Sequence, residues 1–169
     1  MDAGMLQLFV REVDRQARFG LRAAAELRHA VVSSDMECVW YSVQGLLVAT
    51  GNVSKLLWPS RGGSPERGDV LRRVLRVGDD SPLASRTFRN HFEHFDERLE
   101  AWGISPRTHM VADDNVGPLG AISGGASPVF VRNYDPSTET LTFRGEVYEL
   151  RPVIDALENL RAATERELG

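Results

Sequence analysis

The chain has 169 residues, 42% hydrophobic and 26% charged, which fits one globular domain with its own core and excludes the fibrous and disordered classes. A formal net charge of -4 and a pI near 5.6 exclude a general nucleic-acid-coating protein while leaving room for a local basic cleft. Cys38 is the only cysteine, which excludes an internal disulfide and a cysteine-rich zinc cage; among Met36, Val39, Trp40 and Val43 it reads as a small buried hydrophobe.

No apolar run is long enough to span a bilayer, and the first residues lack the basic-then-apolar pattern of a secretion signal. The expectation is a soluble cytoplasmic protein with no membrane partner. Its basic residues are arginine except for Lys55, which suits bidentate contacts to carboxylate or phosphate wherever arginines cluster.

The first helix is predicted from about Met5 to Val32, where Leu6, Phe9, Val10, Val13, Ala17, Leu21, Ala24, Leu27 and Val31 make a broad apolar face. Gly20 marks a close-packing point, and His29 near the end is read as a surface residue. Ser34-Asp35-Met36-Glu37 has the form of a capping box with Ser34 as N-cap, so a second helix is predicted from there to about Trp58, stopped by Pro59. Pro59-Ser60-Arg61-Gly62-Gly63 lacks the context of a phosphate-binding loop and reads as a connector.

Ser64-Pro65-Glu66 opens a third helix with proline at its first position. Val70, Leu71, Val74, Leu75 and Val77 supply its buried side, and Arg67, Arg72, Arg73 and Arg76 its wet side. Those arginines fit a solvated face paired with Glu66 and Asp69, or the lining of a nucleic-acid groove. Ser81-Pro82 is predicted to open a fourth helix by the same device, continuing through Arg86 to Trp102. There Phe88, Phe92, Phe95, Leu99 and Trp102 recur at helical spacing, and Gly103 ends the run.

Beyond Gly103, residues 104–127 form a loop, rich in Gly, Pro, Asn, Asp and Ser from Asp113 to Ser127. Val129 to Tyr134 and Thr140 to Leu150 alternate as strands, with Gly145 a bulge, and Pro152 begins a last helix. The expected architecture is mainly α: an up-and-down four-helix bundle over residues 1–103, with a β-hairpin and a final helix over 128–169, in one domain.

The fourth helix carries the densest chemistry. At about 100° per residue, Asn90 and His94 lie one turn apart on one side, His91 at the edge of the apolar seam, and Arg89 beside Glu93 and Asp96. Read from the residues alone, this is a solvated face with an Arg89–Glu93 ion pair, or a metal site using His91 and His94 with Asp96 or Glu97, which His109 would join if the loop after it folds back, or a catalytic constellation.

The spacing Arg89-Asn90-x-x-x-His94 resembles the Arg-x4-6-His signature of the HEPN superfamily of helical nucleotide-binding and ribonuclease domains. That resemblance implies a HEPN-like bundle acting as a metal-independent endoribonuclease without cofactor, related to toxin–antitoxin or defence systems. Its cleft would lie at a homodimer interface, and a partner protein would restrain it. Arg89, Asn90 and His94 would be catalytic, with Arg86 and His91 binding RNA or a nucleotide. Toxin members controlled by nucleotidylation have tyrosine two residues after the histidine; Asp96 stands there, so that control is not expected. Some members only bind nucleotides or proteins, which leaves a non-catalytic helical module as the alternative.

Overall fold

A computed structural model of the protein describes residues 1–60, 64–85, 100, 111–119, 129–143 and 145–169. The first apolar stripe forms helix α1 (Ala3–Ser33), whose start is capped by the Asp2 carboxylate accepting from the Met5 amide at 2.8 Å. It ends where Ser34 turns left-handed (φ 57°) and donates its amide to the Ala30 and Val31 carbonyls. Ser34 therefore closes the first helix and does not cap the second. That role falls to Asp35, whose carboxylate accepts from the Cys38 amide at 3.0 Å; a negative charge at a helix start is favoured by the dipole as well as by the hydrogen bond.

Helix α2 (Met36–Leu57) thus begins just after α1 stops, so the two are antiparallel neighbours. A β-carbon on Gly20 would lie 2.8 Å from Leu157 Cδ1 and 3.5 Å from Ala49 Cβ, which confirms it as the point where α1 is closely packed. Helix α3 (Pro65–Leu75) starts as predicted, with the Ser64 hydroxyl accepting from the Arg67 amide. It ends at Arg76, itself left-handed (φ 55°).

Ser81 also caps, but it opens only a 3-10 turn, Pro82–Ala84, closed by the Ser81 hydroxyl accepting from the Leu83 amide and leaving the helical conformation at Ser85. No continuous helix therefore runs from Ser81 into the motif. Leu83, 1% exposed, is held in the core and fixes the turn.

The remaining strands are β1 (Val111–Ala112), β2 (Asn115–Val116), β3 (Val129–Phe130), β4 (Arg132–Asp135), β5 (Thr140–Phe143) and β6 (Glu146–Glu149), with helix α4 (Leu150–Leu168) after them. One sheet has the order β2-β4-β5-β6, with β2 parallel to β4 and the rest antiparallel; β1 pairs with β3 separately and in parallel. The stretch Thr140–Leu150 is thus two strands, not one. Gly145 (φ 85°) lies in the tight turn between them, with Phe143 opposite Glu146, and is not a bulge; glycine takes this conformation without steric cost. Pro152 falls in the first turn of α4, where its missing amide leaves no bond unmade.

Tyr134, Leu141 and Tyr148 are register partners across three strands, all buried. They join Leu27, Leu46, Leu57, Leu71, Leu83, Leu150, Leu157 and Leu160 in one core cluster, each leucine contributing about 1.5–3 kcal/mol by burial. The architecture is mainly helical with a small four-stranded sheet. Among the described residues, no helix is long and apolar enough to cross a membrane.

Helix α3 lies so close to the end of α2 that a β-carbon on Gly68 would be 2.6 Å from the Leu57 carbonyl oxygen and 2.6 Å from Pro59 Cδ. Gly68→Ala should therefore destabilise the protein by about 1–3 kcal/mol through overpacking, although alanine alone is favoured in a helix by about 1 kcal/mol. Urea unfolding would show a lowered midpoint at unchanged slope; a raised midpoint would mean that the contact yields.

Candidate functional site

Arg89, Asn90 and His94, together with Arg86, His91, Asp96, Glu97 and His109, lie outside the described residues. The structure gives the points where the chain approaches and leaves this stretch, and the basic groove beside the approach.

On the approach side, Pro82–Ala84 packs against α2 and α4, so the chain leading toward Arg86 starts from a fixed point. On the far side, Val111–Ala112 and Asn115–Val116 are paired into strands, and a polar cluster ties them to α2. Arg132 on β4 donates to both Asp113 oxygens, at 2.9 and 2.7 Å, and lies 3.1 Å from an Asp114 carboxylate oxygen. Its guanidinium stands 5.7 Å from the centre of the Trp40 ring. The Trp40 indole nitrogen in turn donates to the Asp114 carbonyl at 3.2 Å.

Burial pushes the Asp113 carboxyl up, but the hydrogen bonds from Arg132 and the Asp114 amide, with the arginine's charge, outweigh it and hold the group below the ordinary aspartate range. The hydrogen bond to Asp113 likewise raises Arg132. Next to this cluster runs a buried polar row. The Asn115 side-chain amide donates to Asn133 Oδ1, and Asn133, 1% exposed, stands opposite buried Thr142.

The arginines of α3 are not one solvated face. Arg67 is half-buried, 4.9 Å from the Phe9 ring centre, and donates to the Lys55 carbonyl at 3.1 Å. Arg72, with a side chain 17% exposed, donates to the Leu57 carbonyl at 2.5 Å and pairs with Asp69 at 2.6 Å and Asp79 at 3.1 Å. Among the described residues, only the Asp69 part of the expected pairing is formed, because the carbonyl end of α2 draws both arginines inward. Arg73 and Arg76 are exposed. A groove of about 430 Å³ opens between the chain from Leu75 to Leu83 and α4, with Arg76, Asp80 and Arg166 on its walls.

Cys38 is half-buried, its sulfur 3.9 Å from the Ser42 hydroxyl, and His29 is exposed. Among the described residues, no group of three or more His, Cys, Asp and Glu side chains is placed to hold a metal ion.

No family model, curated protein or solved structure matches the chain.

Sequence reasoning did not single out Trp40, Asp113, Asp114 or Arg132 for a shared site. Trp40 and Asp114 are 74 residues apart, and nothing local to any of them signals the contact. Because Asp113 has a depressed pKa, its pair with Arg132 contributes fully above the unfolded value of about 3.9 and loses that contribution as pH falls through the lower folded value. An NMR titration should therefore place the Asp113 transition below the ordinary aspartate range. Arg132→Ala should move it upward, and an unmoved transition would show that the arginine is not its cause.

Proposed function

We propose that the protein is a HEPN-like, metal-independent endoribonuclease acting as a homodimer, of the toxin or defence kind and restrained by a partner protein. The observation that carries this reading is the motif Arg89-Asn90-x-x-x-His94 within an amphipathic stretch of a mainly helical chain. The fixed approach at Leu83 and the fastened exit at Asp113–Val116 support it, since a catalytic segment needs firm ends if its groups are to be held in register.

The chemistry rests on the residue types. The ribose 2′-oxygen forms a bond to the adjacent phosphorus while the bond from phosphorus to the 5′-oxygen breaks, giving a 2′,3′-cyclic phosphate and a free 5′-hydroxyl. One His94 takes the 2′-hydroxyl proton and the His94 of the second copy protonates the leaving oxygen, since an imidazole titrating near pH 6.5 serves both roles at neutral pH. Arg89 holds the phosphoryl oxygens as negative charge develops on them. Asn90 orients His94 or the scissile phosphate, and Arg86 and His91 bind the flanking RNA.

Purified protein incubated with mixed single-stranded RNA in excess EDTA should cleave it and leave cyclic-phosphate ends. His94→Ala and Arg89→Ala should each lower the rate by about 10²–10⁴-fold. Absence of cleavage by folded wild-type protein would favour a non-catalytic nucleotide- or protein-binding module. Activity that appears only with added metal would favour His91 and His94, with Asp96, as ligands.

A further inference from the structure

We propose that the outer face of the α1–α2 hairpin is the surface on which a second copy of this chain docks. The setting rests on the homodimer of the reading above; the surface, and the choice of a second copy for it, are argued from the face itself.

Phe19 lies off the buried stripe of α1 and is 55% exposed, and on α2 Tyr41 and Val48 are 73% and 45% exposed. Three contacts set the register of the antiparallel pair. A β-carbon on Gly20 would lie 3.5 Å from Ala49 Cβ, one on Gly45 would lie 3.4 Å from Ala23 Cβ, and the Asn52 side-chain amide donates to Gln16 Oε1 at 3.2 Å. At about 100° per residue, Phe19 stands about 60° back from Gln16, and Val48 about 60° back from Gly45. Because the two helices run in opposite directions, equal turns of the same sign bring both residues to one side of the seam. Val48 therefore stands beside Phe19, with Tyr41 about two turns further along the same face.

Shape, charge and size choose a second copy as the occupant. An isologous contact needs a projection and a hollow on the same patch. Between Val48 and Tyr41 the seam is floored by Gly45 and Ala23, which raise nothing larger than a methyl group, and Phe19 projects about one turn from Ala23. A two-fold axis can set the Phe19 ring of each copy over the Gly45–Ala23 hollow of the other. On α1 the patch is bordered by Glu12 with Arg15 and by Glu26 with Arg22, both pairs closed at 2.9 Å. Two acids stand against two bases, so this border neither repels its own copy nor offers an uncompensated charge to a strongly acidic or basic partner. Leu8, 61% exposed, continues the stripe about three turns before Phe19. Phe19, Tyr41, Val48 and Leu8 together expose roughly 400 Å². Apolar atoms make up a little over half of an interface, so this corresponds to roughly the 800 Å² that each partner buries in a stable complex.

The test is sedimentation velocity of the full chain from about 1 to 100 μM, a range that covers dissociation constants in the micromolar region. Wild-type protein should sediment as a dimer in the upper part of this range. Phe19→Arg should weaken self-association about 100-fold, since the two-fold axis counts each lost contact twice. Gly45→Gln, which fills the hollow with a residue that suits a helix, should do the same while keeping the far-ultraviolet circular dichroism of the wild type. Val32→Arg, at an exposed apolar position near the end of α1 and off this face, should leave association unchanged. A dimer that persists in both Phe19→Arg and Gly45→Gln would overturn this surface and leave the homodimer standing. A wild-type chain that stays monomeric throughout would overturn the surface together with the homodimer, whereas cleavage of RNA is judged by its own assay. Monomeric wild-type protein that sediments with phosphatidylcholine–phosphatidylserine vesicles, where Phe19→Arg does not, would overturn the second copy in favour of a lipid surface.

Discussion

The carbonyl end of α2 is the constraint on which the rest of the helical arrangement depends. This helix is buried along most of its length, from Val39 to Leu57, so the orphan carbonyls of its last turn are partly withdrawn from water. An unanswered buried carbonyl costs about 1–3 kcal/mol. Arg67 and Arg72 answer two of them, at Lys55 and Leu57, and rest their guanidiniums near the rings of Phe9 and Trp58. Both arginines come from α3, which must then lie close against α2. Gly68 at the contact and the inward turn of Leu71 and Leu75 result from that placement.

The sheet is fastened at two corners by partly buried charge. At one corner Arg132 clamps the Asp113–Asp114 pair against Trp40 of α2. At the other, Glu139, 14% exposed, receives Arg28 of α1 at 3.0 Å and Arg151 of α4 at 2.8 Å, while its carbonyl accepts from the Leu150 amide. Such pairs resist screening better than fully exposed ones, though each also bears a desolvation cost. Glu139 adopts a left-handed conformation (φ 49°), a local cost accepted in the loop where its two arginine contacts meet. The strands thereby connect α1, α2 and α4, and they share the helical core.

Periodicity made the long elements legible: α1, α2, α3 and the final helix arise from stripes such as Val10, Val13, Ala17, Leu27 and from Pro65 after a capping serine. Caps were less legible where two candidates adjoin. Ser34 and Asp35 both have the side chain for an N-cap, and which one serves depends on the left-handed closure of the preceding helix, a backbone geometry the pattern does not encode. Ser81-Pro82 carries the same signal as Ser64-Pro65, yet Leu83 is drawn into the core and stops it after one turn. Thr140–Phe143 alternates and the apolar residues resume at Val147 and Tyr148, so the stretch reads as one strand with a bulge until the left-handed conformation of Gly145 divides it. The Trp40–Arg132 cluster was not legible at all, because it depends on tertiary contact across the chain. The motif residues Arg89, Asn90 and His94 are known from sequence alone, and their proposed role rests there.

The division of the arginines links the scaffold to the proposed chemistry. With 20 basic against 24 acidic residues, the chain as a whole repels RNA, so any phosphate site must arise from local imbalance. At physiological salt a charge is felt over about 8 Å, so what matters is which cations near a groove are already neutralised. Arg67 and Arg72 are turned inward by the end of α2, and Arg72 draws Asp69 and Asp79 with it. The same interaction that seats α3 thus sets the single charge of Arg72 between Asp69 and Asp79, offsetting one of their two negative charges, while Arg73 and Arg76 stay exposed. Packing and electrostatics at this corner are then one arrangement: a change that releases Arg72 from Leu57 would loosen α3 and leave Asp69 and Asp79 without their shared arginine at the same time.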